Sequence, residues 1–285
     1  DKSLIKIFTI DIETTAEGGF PDVENPTEEI ICLTIKNQSN KQIITWGTKP
    51  FLVKQDNVTY VECANEKQLL MEFFKFWMKN YPDVITGWNT KFFDIPYLCN
   101  RTKRLVGDKV INKLSPWGLI EEEKLTVRGR QQTIFKITGI SNLDYLDLYI
   151  KFIPTRQESY KLDYIAKVEL GGDGKDNNPY ETFREWYKND FQSFVEYNIK
   201  DVELVDKLED KLRLIELIMT MAYEAKVNYT DVFSEVRLWD TLIYNHLLKD
   251  NVHIPPRTDN IKEEKYVGAY VKTPQVGQHK WIVSF

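Results

Sequence analysis

The chain has 285 residues, a formal net charge of −5 and 42% hydrophobic residues, enough for one large packed core or one domain plus part of a second. Its three cysteines form no CxxC and its three histidines, His246, His253 and His279, form no HExxH, which argues against a disulfide framework and against a zinc site and suits a reducing, cytosol-like compartment. No apolar run approaches the ~20 residues of a membrane helix, no signal peptide opens the chain, and the acidic balance weighs against a free-standing nucleic-acid binder unless several acids serve as metal ligands.

Residues 4–12 read as a first strand, rich in β-branched and aromatic side chains. It runs into "FTIDIETT", where the two-residue period of a strand puts Asp11 and Glu13 on one face. Two adjacent carboxylates are either solvated at a strand end or share a divalent cation, which turns their repulsion into ligation. Strands at 30–36 and 41–47, joined by the turn "NQSN" at 37–40, complete an expected antiparallel meander.

A helix over 65–80 follows from the spacing of Leu69, Leu70, Phe73, Phe76 and Trp77, with Asn65 as its cap. "DVITGWN", 83–89, reads as a short strand, and 93–105 as a helix with Pro96 in its first turn. The sequence predicts a hairpin at 124–138 with Arg128, Gly129 and Arg130 at its tip. "LDYLDLYIKF" then reads as a strand, "SYKLDYIAKVEL" as a helix and 171–179 as a loop. Helical pattern runs almost unbroken from Asn189 to Lys226 and again over 234–249, and the tail returns to short strands. The pattern is that of a mixed sheet flanked by helices.

Two further acids matter. Asp94, in "GWNTKFFDIP", sits between a strand and a helix start, where the helix dipole alone would explain it. In "YNIKD", Tyr197 and Asp201 share a helix face beside apolar Phe194, Val195, Ile199 and Val202. Taken together, Asp11, Glu13, Asp94 and Asp201 form a set of oxygen donors suited to hard cations such as Mg²⁺ or Mn²⁺. Two such ions can clamp the attacking and leaving oxygens of a phosphoryl displacement, and Tyr197, one turn from Asp201, can hold the attacking water.

"DIETT", "NTKFFD" and "YNIKD" resemble, in order and spacing, the three exonuclease motifs of the proofreading domain of family B DNA polymerases, in particular those of T-even-type phages. "ITGISNLDYLDLY", "SYKLDYIA" and "YVGAYVKTP" resemble their connecting segments. The resemblance implies an α/β, ribonuclease-H-like fold with an inserted hairpin and a helical C-terminal extension, and 3′→5′ hydrolysis of DNA. It implies that Asp11, Glu13, Asp94 and Asp201 hold two metal ions and that Tyr197 orients water. Asn89 and Phe93 would contact the terminal nucleotides, and Phe20 would stack on the primer end unless it is a buried loop residue. Arg128 and Arg130 would touch phosphate or simply face solvent. The family often carries a lysine near the metals, for which Lys188 and Lys200 are candidates.

The expected layout is an exonuclease domain over 1–215 and a segment over 216–285 leading toward a polymerase palm. The chain begins without Met and ends in the apolar run "HKWIVSF", so a fragment of a longer, monomeric polymerase is expected, with fingers, palm and thumb elsewhere in the parent protein. The location implied is cytoplasmic, in the host cell if the source is a phage. A stand-alone DNA or RNA exonuclease and a catalytically silent DNA-binding module are the competing readings.

Overall fold

The computed structural model describes residues 4–127, 129–172, 180–254 and 268–283. Its contacts divide the chain into two compact units, Asp1–Ile243 and Tyr244–Phe285. The first unit opens with β1 (Ile7–Thr14), β2 (Ile30–Asn37), β3 (Ile43–Gly47) and β4 (Val58–Glu62), followed by α1 (Glu66–Lys79), β5 (Val84–Thr86), α2 (Asp94–Val106) and the single turn α3 (Asp108–Ile111). A hairpin of β6 (Ile120–Val127) and β7 (Arg130–Ile137) leads to the two-residue β8 (Ser141–Asn142). Then come α4 (Tyr145–Phe152), α5 (Leu162–Leu170), α6 (Phe183–Asn189), α7 (Phe191–Leu212), α8 (Leu214–Ala225) and α9 (Glu235–Lys249). None of the helices is long and apolar enough to cross a membrane among the described residues.

The main sheet has six strands in the order β4-β3-β2-β1-β5-β8. β1, β2 and β3 form the expected antiparallel meander, whereas β4, β5 and β8 pair parallel to their neighbours. This mixed α/β architecture is consistent with a ribonuclease-H-like fold.

Alternation along β1 assigns its two faces. Phe8, Ile10 and Ile12 join the core beneath α1 and α2, with Phe73, Trp77, Tyr97 and Leu98. Ile7 belongs to the opposite core, with residues of α4, α5, α7 and α8. Asp11 and Glu13 share the parity of Ile7 and so lie on the α7 side. Covering both sheet faces with helices explains why β1 and β2 are almost continuously buried.

Local sequence signals fixed several elements closely. Asn65 caps α1, its side chain accepting from the Gln68 N–H at 3.0 Å. The helical run expected over 189–226 is broken at Asp190, between α6 and α7, and at Arg213, which adopts left-handed backbone (φ 53°) between α7 and α8. Three expectations are corrected. β1 spans Ile7–Thr14 rather than 4–12, so Glu13 as well as Asp11 lies within the strand. "LDYLDLYIKF" is not a strand but helix α4: its buried residues Tyr145, Leu148 and Tyr149 follow helical spacing, and the Asp144 side chain caps it. The tail forms no strand among described residues 268–283, where Val271 and Trp281 are exposed. An apolar, β-prone run does not become a strand without a neighbouring edge to pair with. β4, α3 and α6 were not anticipated.

Candidate active site

β1 loses its β5 neighbour early. Their pairing ends at Thr9–Thr86, because β5 has only three residues. Past that point the edge of β1 needs another acceptor, and Asp94 supplies it: its Oδ1 accepts from the Ile12 N–H at 3.0 Å. The chain reaches Asp94 through a tight loop. A Cβ on Gly87 would sit 2.4 Å from the Ile10 carbonyl oxygen, so only glycine passes there. Asn89 then takes left-handed backbone (φ 67°), which asparagine tolerates better than most residues.

On the face of β1 that carries Asp11 and Glu13, helix α7 brings Asp201 to the strand. One carboxylate oxygen each from Asp11, Glu13 and Asp201 lies within 4.8 Å of the other two. Asp11 and Glu13 are half-buried and Asp201 is buried. Asn198, fully buried and one turn before Asp201, donates from Nδ2 to Asp11 Oδ2 at 2.6 Å. Its own Oδ1 accepts from the Cys32 thiol at 3.3 Å. Cys32 is the β2 partner of Glu13, and burial together with the charges of Glu13 and Asp11 pushes its thiol well above the usual range. Cys32 therefore stays a neutral donor, and the donor set around the cluster is all oxygen, as hard divalent cations require.

Asp94 differs from the other three acids. Burial, and secondarily the charges of Asp144 and Asp201, push its carboxyl up to about 8, although the Ile12 N–H works against that rise. Burial thus shifts Asp94 toward its protonated form.

The aromatic candidates separate into two groups. Phe20 is 89% exposed, not buried, and its ring centroid lies 5.9 Å from that of Phe93, which in turn stacks on Tyr97 at 5.7 Å. Tyr197 packs at 4.9 Å against Trp186 and at 6.0 Å against Phe183 of α6. It also lines a cavity of about 520 Å³, together with Lys54, Glu196 and Lys200. Lys188 pairs with Glu17 at 2.5 Å, just after β1. Arg128 and the Arg130 side chain lie outside the described residues.

Two residues escaped the sequence reading. Asn198 is three residues before Asp201 on an apolar helix face, and that spacing was the available signal. Asp144 was hidden inside a supposed strand, although an Asp before a helical run is a capping signal.

The family model described as "DNA polymerase family B, exonuclease domain" matches residues 2–165. The chain belongs to that family. Over its whole length it is 33% identical to the DNA-directed DNA polymerase of Escherichia phage RB69 and 31% identical to that of Enterobacteria phage T4, covering 34% of each. It is 25% identical over 96% of its length to the DNA polymerase delta catalytic subunit of Candida albicans, covering 28% of that protein. The chain therefore spans about a third of the length of the phage polymerases it matches. Tyr197 and Asp201 lie beyond the residues matched by the family model, in the region that the phage relatives cover.

Proposed function

We propose that this exonuclease domain removes nucleotides from DNA 3′ ends, using two Mg²⁺ or Mn²⁺ ions held by Asp11, Glu13, Asp94 and Asp201. The observation that carries the proposal is the convergence of three carboxylates from β1 and α7, with Asp94 at the edge of the same strand. Like charges gathered this closely are costly unless a cation joins them. When bound, divalent ions at these oxygens stabilise charge on the scissile phosphate and lower the pKa of water.

The chain's own residues supply the rest. Asn198 keeps Asp11 aimed into the cluster. Tyr197 orients the attacking water by its hydroxyl, from the turn of α7 that precedes Asp201. Phe20, exposed beside Phe93, offers a face on which the terminal base stacks, and Asn89 and Phe93 hold the last nucleotides. We assign this activity to residues 1–215, with 216–285 leading toward the remaining domains of a parent polymerase.

The test is a gel assay on 3′-labelled oligonucleotides with Mg²⁺, Mn²⁺ or EDTA. Hydrolysis should need a divalent ion and proceed fastest on single strands, then on mismatched and last on matched ends, since unstacking a pair costs roughly 1.4 kcal/mol per step. Degradation in EDTA, or none with either metal, would overturn the reading.

A further inference from the structure

Asp144 is 2% exposed and is not one of the clustered carboxylates, yet its side chain collects three backbone donors from two segments. Oδ1 accepts from the Leu146 N–H at 3.0 Å, the ordinary cap of α4, and from the Asn89 N–H at 3.0 Å. Oδ2 accepts from the Lys91 N–H at 2.9 Å. A cap needs only the first of these bonds. The other two reach across 55 and 53 residues to grip the loop on both sides of Thr90.

That loop is the one on which the proposed reading depends. Asn89 is held in left-handed backbone within it, and its carbonyl accepts from the N–H groups of Phe92 and Phe93, which sets the turn that presents Phe93 beside Phe20. Neighbouring bonds run to the same segment: Thr90 Oγ1 to Asn142 Oδ1 at 3.0 Å, and the Tyr145 N–H to the Gly87 carbonyl at 2.9 Å. Asp94, by contrast, has its own tether in the Ile12 N–H.

Resting on the exonuclease reading above, we infer that Asp144 is a positioning residue for DNA: it fixes the 88–93 loop so that Asn89 and Phe93 meet the strand end. It acts chiefly on binding of the strand, because Asp11, Glu13 and Asp201 sit on β1 and α7, outside the loop, and Asp94 keeps its own tether to the Ile12 N–H.

Asp144→Ser separates the two roles, since serine still caps α4 but is too short to reach the loop. Asp144→Asn leaves Oδ1 in place and turns an amide N–H toward the Lys91 N–H, so it should show a smaller effect. Losing two buried bonds predicts a KM for single-stranded DNA raised about tenfold in Asp144→Ser, with kcat within about threefold of wild type. A merely structural role would lower kcat through the active fraction and leave KM alone, which would overturn the inference. Asp147→Asn is the control: Asp147 pairs with the Lys91 side chain at 3.0 Å from the same helix, and its loss should leave KM unchanged. An equal rise in Asp147→Asn would assign the effect to local charge and sink the clamp. Anisotropy of a labelled single strand in EDTA reads the same contact without catalysis, and should show about tenfold weaker binding in Asp144→Ser. If wild type binds DNA but does not hydrolyse it, the exonuclease reading fails and the anisotropy comparison still decides Asp144. Unchanged binding in Asp144→Ser overturns the inference whatever the activity.

Discussion

One face of β1 and its edge use the same kind of residue in opposite ways. On the α7 side, Asp11, Glu13 and Asp201 crowd their oxygens together in a half-open position, supported by a buried amide. At the strand's edge, Asp94 is shut away at 3% exposure, tied to a backbone N–H and pushed up to about 8. The first arrangement is a group of oxygens that could hold a metal ion. The second is pushed by burial toward its protonated form. A carboxylate's role is therefore set less by its identity than by how much water and how many opposing charges reach it.

The comparison breaks most visibly on the α7 side. Asp11→Ala or Asp201→Ala should lower the hydrolysis rate by several orders of magnitude with the fold intact, because metal clamping acts on transition-state charge. Single-turnover rates on a 3′-labelled strand, with circular dichroism as the folding check, measure this. Near-normal turnover in Asp11→Ala would remove the site assignment altogether.

Asp94→Asn should also abolish hydrolysis, but its stability should move the other way. In the metal-free chain, burial pushes the folded Asp94 carboxyl up to about 8 from its ordinary value of 3.8. Below 3.8 both states are protonated. Between 3.8 and 8 the folded state keeps a proton that the unfolded state has released, so stability falls as pH rises through that window. Asparagine keeps the acceptor for Ile12 and carries no charge. Asp94→Asn in EDTA should therefore melt higher than wild type at pH 8 by at least ~2 °C, and the gap should close toward pH 4. Parallel melting curves across that range would show that Asp94 is ionised in the folded chain.

Tyr197→Phe should be milder than any ligand loss, by ~10–10³-fold in rate, since one hydroxyl is removed and the acids stay in place. A defect equal to that of Asp201→Ala would give Tyr197 a different task. The smallest expected effect belongs to Phe20→Ala. Losing one exposed stacking face should weaken single-strand binding by about 1 kcal/mol, roughly fivefold, with little change in kcat. Fluorescence anisotropy in EDTA reads it directly, and unchanged affinity would leave Phe20 without a part in strand binding.

Much of this arrangement was legible along the chain. The two-residue period of a strand places Asp11 and Glu13 on one face whatever surrounds them, and the 3.6-residue period of a helix places Tyr197 and Asp201 together on α7. Asn65 announces the start of α1 by its chemistry alone. These are consequences of backbone geometry within a few residues, so they survive without knowledge of the fold. Tertiary structure decided what those faces meet. Only the packing of α7 across the sheet shows that the acid-bearing face of β1 is the one Asp201 approaches. Only the early end of β5 leaves Ile12 in need of Asp94. The segment 143–152 shows the limit most clearly: its leucines and tyrosines suit strand and helix alike, and the outcome was settled by Asp144, whose carboxylate caps α4 and grips a loop more than fifty residues away. Propensity is a sum over neighbours in sequence, whereas closure of a site depends on which distant backbone groups still need a partner once the sheet has formed.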